Sequence, residues 1–379
     1  MLLLTLKTFS LTGGIEKVSK ILTKVLNDNN LGDKVESNRS FKMLSLCDKT
    51  SDLDLRYCAA ENFLGFESNK LRFTIMAFRE ALTCETIILS HINLLIIAVL
   101  IKQFSPKKRI ILIAHGIEVW RDLSKWKTNF LRKQVEIWAV SNFTAKALIE
   151  NHHIDKKSIV VLNNCLDPFF KLPTTFEKPT YLLKRHLLEK QQPVLLTVSR
   201  LSSDELYKGY DLIIESLKNI LPTFPDLKYV LAGKCDVKEK KRILTLIKKN
   251  ELQEQVLLLD FISDDELADY FLLADLFIMP SKKEGFGIVF IEAAACGCTV
   301  MAGNQDGSTD ALLNGDLGIL INPADLSEME ASILKFLKNK KKEANAKMIQ
   351  DKCIDHFSYT IYKNNVLELL SKKHASLHL

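Results

Sequence analysis

Glu284 and Glu292 stand eight residues apart in the stretch KEGFGIVFIEAAACG, around a Gly-Phe-Gly turn. Eight residues of helix rise about 12 Å, beyond the ~6.5–9.5 Å that an inverting pair of hydrolytic carboxylates spans. The two are better spaced to hold the ends of one extended ligand, each accepting hydrogen bonds from vicinal hydroxyls. Gly285 and Gly287 expose backbone donors between them, ahead of a helix starting at Ile288, where the positive end of the helix dipole favours a phosphate. A capping glutamate and a solvent-facing one are the plain alternative. It fails for Glu292, which sits among the apolar residues of IVFIEAAA, where an ionised group requires a partner.

Two cations have a related placement. In PVLLTVSRLSSDELYKGYDLIIESL the strand ends at Arg200 and a helix opens near Lys208, Gly209 and Tyr210. A guanidinium and an ammonium at one strand-to-helix crossing make a clamp for a diphosphate. Solvated surface charge is the alternative, weakened because a buried strand positions Arg200. In the first half, His115 follows the strand RIILIA and Gly116 follows it, so the imidazole is either a group facing a ligand or a satisfied core histidine. Gly13 and Gly14 in FSLTGGIEKVSKILTKVL form a turn whose N–H groups could face an anion at a helix start, although a Gly-Gly turn is common by itself and no Gly-x-Gly-x-x-Gly fingerprint is present.

These residues must be held by a regular scaffold. Short β-branched or leucine-rich runs (MLLLTL, RIILIAH, EIWAVS, SIVVLNN, PVLLTVSR, KYVLAG, VLLLDF, LFIMPS, GCTVMA) alternate with amphipathic stretches, the pattern of parallel sheets covered by helices on both faces. IILSHINLLIIAVLI reads as a strand followed by a buried helix. The strand count and the 379 residues exceed what one core usually serves. The fold class is α/β, with two Rossmann-like domains: residues 1–180, residues 181–355, and a tail 356–379 that is helical in period. The polar, proline-containing segment KLPTTFEKPTYLLKRHLLEKQQ is the expected interdomain connection. In such folds ligands sit outside the carboxyl ends of the strands, so the cleft between the domains is the expected site.

Composition narrows the function further. Apolar residues are 47% and charged residues 26%, the proportions of a soluble globular protein. The eight cysteines show no Cys-x-x-Cys spacing, and free thiols in a reducing compartment are expected. Cys296 and Cys298 lack further ligands for zinc, and Asp52 and Asp54 in SDLDLR lie in a polar stretch away from the strand-end residues, so no metal is expected. The N-terminal run is broken at Lys7 and reads as a first strand, not a secretion signal. The net charge of +6 suits a phosphorylated ligand or an anionic membrane surface, where each nearby Lys or Arg contributes about 1 kcal/mol. No nucleic-acid-binding signature accompanies it.

Taken together, LTGGIEKVS, AHGIEVW, AVSNFTAKAL, NNCLDPFF, VSRLSSDELYKGYDLIIESL, the run DFISDDELADYFLLADLFIMPSKKEGFGIVFIEAAACG and GILINP resemble the retaining, nucleotide-sugar-dependent glycosyltransferases of GT-B fold, the family 4 group, over nearly the whole chain. The resemblance implies that Arg200 and Lys208 bind the donor diphosphate, Glu292 the ribose hydroxyls, and Glu284 the transferred sugar, with help from the backbone of Gly285, Phe286, Gly287 and Ile288. It implies that Gly13 and Gly14 approach the diphosphate from the acceptor domain, that His115 lines the reaction centre, and that the last helix crosses back to the first domain. In the chain's own variations on the family pattern, Lys234 follows LAG where a second glycine is frequent, and Asp310 in AGNQDGSTDAL replaces a glutamate.

The implied activity is transfer of a hexosyl group, with retention and without a metal or other cofactor, from a GDP- or UDP-linked sugar to a glycan or lipid-linked acceptor in surface polysaccharide biosynthesis. The implied location is cytoplasmic, with peripheral contact to an anionic membrane face. Two other readings stand beside it: a sugar nucleotide epimerase or phosphorylase of similar shape, and a non-catalytic nucleotide-sugar binder that assembles with another transferase.

Overall fold

The computed structural model describes residues 1–32, 41–339 and 342–372. It divides into two compact units, Met1–Pro168 with Tyr359–Leu379, and Phe169–Ser358.

The first unit is built on a seven-stranded sheet. Its strands are β1 (Leu2–Thr5), β2 (Lys42–Ser45), β3 (Phe63–Gly65), β4 (Thr86–Leu89), β5 (Arg109–Ala114), β6 (Glu136–Ala139) and β7 (Ile159–Val161), in the order β3-β2-β1-β4-β5-β6-β7. The second unit has β8 (Val194–Val198), β9 (Lys228–Ala232), β10 (Val256–Leu259), β11 (Leu276–Met279), β12 (Thr299–Gly303) and β13 (Ile319–Ile321), in the order β10-β9-β8-β11-β12-β13. All strand pairs are parallel. Every residue of β1 and of β11 is buried, as expected of strands covered on both faces by crossover helices. The outer helices show the complementary pattern. Helix Val237–Lys249 buries Ile243 and Ile247 and is opened by Asp236, whose side chain accepts the Glu239 N–H.

Strand order reverses between β1 and β4 in the first unit and between β8 and β11 in the second, the topological switch point at which doubly wound sheets bind ligands. The residues with candidate chemistry leave those strands, except His115, which leaves β5, the neighbour of β4. His115 follows β5 directly, and Gly14 opens helix Gly14–Gly32 after β1. Arg200 and Lys208 lie beyond β8, and Glu284 beyond β11.

Several expectations change. β2, β3 and β13 are absent from the strands read in the sequence. They have three or four residues each, and KMLS and FLG carry too few β-branched residues to stand out from loops. The expected tail 356–379 starts on the last two residues of helix Lys342–Phe357, which belongs to the second unit, and its own helix is Tyr359–Ser371, in the first unit. Within the first unit, Tyr359 donates its hydroxyl to Asp28 at 3.1 Å, and the Arg109 guanidinium donates to the Leu369 carbonyl at 2.8 Å. The first boundary falls after Pro168 instead of residue 180, because the polar segment beyond it is a packed part of the second unit. There Lys178 is ion-paired with Asp275 at 2.8 Å, both side chains almost fully buried, and helix Thr180–Arg185 is held by Tyr181–Asp269 and Arg185–Glu266 hydrogen bonds.

Candidate functional site

In the second unit four loops meet at the carboxyl end of the sheet. The loop after β8 runs through Ser199 and Arg200, is tied to the loop after β9 by the bridge Leu201–Cys235, and makes a 3-10 turn, Leu206–Lys208. Gly209 then opens helix Tyr210–Ile220 with φ +77°, in the left-handed region that favours glycine. A Cβ at Gly209 would lie 2.6 Å from the Pro280 carbonyl oxygen, so the loops after β8 and β11 approach as closely as backbones can. The Lys282 N–H donates to the Tyr207 carbonyl at 3.0 Å.

That contact sets Lys208 against Glu284. The ammonium donates to Glu284 Oε1, and each side chain is 14% exposed. Burial alone would push the Lys208 ammonium down, but the charge of Glu284 and its hydrogen bond override burial and hold the pKa above its ordinary value. Lys208 Nζ also lies 5.4 Å from the centre of the Tyr207 ring. Arg200 joins the same neighbourhood, since Tyr207 feels the charges of Arg200, Lys208, Glu205 and Glu284 together. Its guanidinium is largely exposed and is paired with Glu205.

Glu284 sits in the loop between β11 and helix Ile288–Ala295, not in a helix, so the helical rise does not measure its separation from Glu292. The loop is anchored from behind. The Glu284 N–H donates to Asp306 Oδ2 at 2.6 Å, and the Gly307 N–H donates to the Glu284 carbonyl at 2.8 Å. Phe286 is buried, edge-on to Phe357 at 5.6 Å, which leaves the backbone of Gly285, Phe286 and Gly287 as the part able to meet a ligand. Gly287 has φ +86°, and a Cβ there would come within 2.4 Å of the Phe290 ring. Glu292 is 2% exposed inside the helix that Gly287 precedes.

In the first unit His115 is buried and neutral. Its Nε2 lies 2.9 Å from the Ser90 carbonyl oxygen. A carbonyl only accepts, so Nε2 carries the proton and Nδ1 is left as an acceptor. Burial is the main cause of its lowered pKa, against the opposing charges of Glu118 and Glu16. The histidine therefore spends its donor on the core, leaving Nδ1 able to accept a hydrogen bond and no N–H to donate to a phosphate. Glu16 lies beside Gly13, its Oε2 only 2.4 Å from where a Cβ would sit, while nothing lies within 4 Å of a Cβ at Gly14. Residues 8–10, between β1 and the glycine pair, are fixed by the buried Asp48 carboxylate, which accepts the N–H groups of Thr8 at 2.7 Å, Phe9 at 3.2 Å and Ser10 at 3.1 Å.

The structure thus joins Lys208 to Glu284 directly, brings Arg200 into their field, and places Gly285, Phe286, Gly287, Ile288 and Glu292 on the segment that follows. Gly13, Gly14 and His115 belong to the other unit. Reading residues alone passed over Asp306, Glu205, Tyr207 and Asp48. Of these, Asp306, Glu205 and Tyr207 stand in quoted motifs, and only tertiary contact reveals what they hold. Asp52 accepts the Lys49 N–H and Asp54 is paired with Arg56, and among the described residues no group of three or more His, Cys, Asp or Glu could hold a metal. Among them, too, no helix is long and apolar enough to cross a membrane.

Residues 182–352 match the family model described as glycosyl transferases group 1. The match lies within the second unit. The chain is 25% identical over 299 residues to the 2-deoxystreptamine N-acetyl-D-glucosaminyltransferase of Niallia circulans, covering 72% of each chain. It is 26% identical over 160 residues to the GDP-mannose-dependent alpha-(1-6)-phosphatidylinositol monomannoside mannosyltransferase of Mycolicibacterium smegmatis, covering 40% of this chain and 41% of that one. Among solved structures, Anabaena Alr3699/HepE in complex with UDP superposes with a TM-score of 0.80 at 19% identity, over 98% of this chain and 100% of that one. The same protein has been solved with UDP-glucose. At that identity the likeness bears on the fold, which is GT-B.

Proposed function

We propose that the protein transfers a hexosyl group from a UDP- or GDP-linked sugar to the hydroxyl of a glycan or lipid-linked acceptor, with retention at the anomeric carbon and without a metal. The observation that carries this is the Lys208–Glu284 pair at the β8/β11 switch point, next to Arg200 and at the start of helix Ile288–Ala295. Lys208 and Arg200 neutralise the leaving diphosphate together with the helix N-terminus, a preorganised electrostatic device. Glu284 accepts from the sugar hydroxyls and Glu292 from the ribose. No protein nucleophile is required in this reading: the leaving phosphate takes the acceptor proton on the face from which it departs.

The binding of UDP and UDP-glucose by a protein of the same fold, and of GDP-mannose by a relative as its name states, support a nucleotide-sugar donor. A role in surface polysaccharide synthesis at the cytoplasmic membrane face rests on the basic balance and on the acceptors of that family. Against a non-catalytic binder stands the pairing of a cation with the carboxylate expected at the sugar, a feature that a pure nucleotide-binding site does not need. The test is incubation with UDP-glucose and GDP-mannose in the presence of EDTA and a panel of glycan and lipid-linked acceptors. Release of UDP or GDP with an anomeric configuration retained in the product, followed by NMR, is expected. Inversion, or donor binding without release across the panel, counts against the proposal.

A further inference from the structure

Asp306 is a second carboxylate at the Lys208–Glu284 pair, and neither the sequence motifs nor the proposed chemistry uses it. It follows β12 and is fully buried. Oδ2 accepts the Glu284 N–H at 2.6 Å and Oδ1 accepts the Ser308 N–H at 2.9 Å. The next residue closes the connection in the opposite sense: the Gly307 N–H donates to the Glu284 carbonyl at 2.8 Å. A Cβ at Gly307 would come within 2.0 Å of the Gly285 carbonyl oxygen, so the two loops touch backbone to backbone. Both peptide groups of Glu284 are therefore committed to residues 306–307, and its carboxylate is committed to Lys208.

We infer that Asp306 is a positioning residue for the transferred sugar, fixing through the Glu284 N–H the loop that aims the Glu284 carboxylate. The inference rests on the nucleotide-sugar reading and deepens it. An ionised carboxylate offers acceptors to both N–H groups at once, and a charge-assisted bond is shorter and stronger than a neutral one. A protonated Asp306 gives up part of that capacity, and Glu284 loses the bond that sets its angle. Burial raises the Asp306 carboxyl to about 6, with the charge of Glu284 adding to the rise and the N–H groups of Glu284 and Ser308 opposing it. The charged group facing it across the contact is Glu284, which Lys208 neutralises on its far side. Asp310 lies on its own helix, Ser308–Ala311.

Two measurements test this separately. In the ligand-free protein, the Glu284 and Ser308 amide resonances followed by NMR from pH 5 to 8 are expected to titrate together with a midpoint near 6, and to stop doing so in D306N. Amides that do not titrate overturn the hydrogen-bond assignment. In the second, the dissociation constants of UDP, UDP-glucose, GDP and GDP-mannose are measured for the wild type, D306N and D306A. The sugar nucleotide that binds the wild type is expected to bind D306A about tenfold more weakly, the loss set by one charge-assisted hydrogen bond. Its matching diphosphate should keep its affinity, and the wild-type preference for the sugar nucleotide should fade below about pH 6. Equal weakening of diphosphate and sugar nucleotide, or unchanged binding of both, overturns the positioning role. If no sugar nucleotide or diphosphate binds the wild type, the nucleotide-sugar reading falls and the sugar role falls with it, a result distinct from the amide titration.

Discussion

Lys208 and Glu284 lie 76 positions apart in the chain, yet they close an ion pair between the loops that leave β8 and β11. Each is the group that the other's ligand would replace: the ammonium is satisfied by a carboxylate where a diphosphate is expected, and the carboxylate by an ammonium where sugar hydroxyls are expected. Truncating either should cost far more in turnover than in folding. K208A and E284A are each expected to lower kcat/KM by about 10²- to 10³-fold, the scale seen when one preorganised electrostatic group is removed. The double variant should fall short of the product of the two losses, because the residues touch. Steady-state kinetics of all three proteins would show it, and simple multiplication would argue against a shared role.

Glu205 holds Arg200 as Glu284 holds Lys208, but with a largely exposed guanidinium. Such a pair contributes little to stability. E205Q is expected to leave the thermal midpoint nearly unchanged and to tighten diphosphate binding severalfold, since Arg200 no longer exchanges one anion for another. Calorimetric titration with UDP and GDP checks it; weaker binding in E205Q would mean that Glu205 orients Arg200 and does not compete for it.

Asp48 and Asp306 are both buried and should respond to acid in opposite directions. Burial works to raise the Asp48 carboxyl, but its hydrogen bonds from Ser10, Ser45 and the backbone of Phe9 win and hold it below its ordinary value. A depressed folded pKa contributes stability above the unfolded value of 3.8 that is lost as pH falls through the folded one. Asp306 is raised to about 6, so the folded state binds more protons than the unfolded between these values and stability declines from pH 4 to 6 on its account. Urea unfolding from pH 3 to 7 should therefore show an acid loss that D48N lacks, and a decline across pH 4 to 6 that D306N lacks. D48A, which strands several buried N–H groups, should cost about 3 kcal/mol at pH 7.

His115 spends its Nε2 proton on Ser90, and burial keeps the ring neutral. The pH–rate profile should accordingly carry no limb from this group near 6.5. H115A leaves the Ser90 carbonyl unpaired and is expected to destabilise the fold by about 1–3 kcal/mol, measured by denaturant unfolding. A limb near 6.5 that H115A removes would assign the imidazole a titrating role in the reaction.

The long strands and the strand-end residues were legible because each carries its own signal: buried runs such as RIILIA and VLLTV, a glycine after a strand, a charge placed by a buried element. The short strands β2, β3 and β13 were not, since three or four residues settle on a sheet edge through tertiary contact more than through propensity. Charge and proline made Lys171–Gln192 look like a linker, but Lys178 and Arg185 find acidic partners in the second unit and the segment packs. At the site, the residue types of Arg200, Lys208, Glu284 and Glu292 were readable in one dimension. What holds them was not: Asp306 reaches Glu284 across 22 positions, and no local pattern encodes that.

The central claim is that the second unit grips a sugar nucleotide through Lys208. Titration calorimetry of UDP-glucose and GDP-mannose into the wild type and K208A, with EDTA present, tests it most directly. One donor should bind the wild type and bind K208A at least about tenfold more weakly, as expected when a charge-assisted bond is lost. Equal affinity in the two proteins, or no binding of either donor to the wild type, would contradict it.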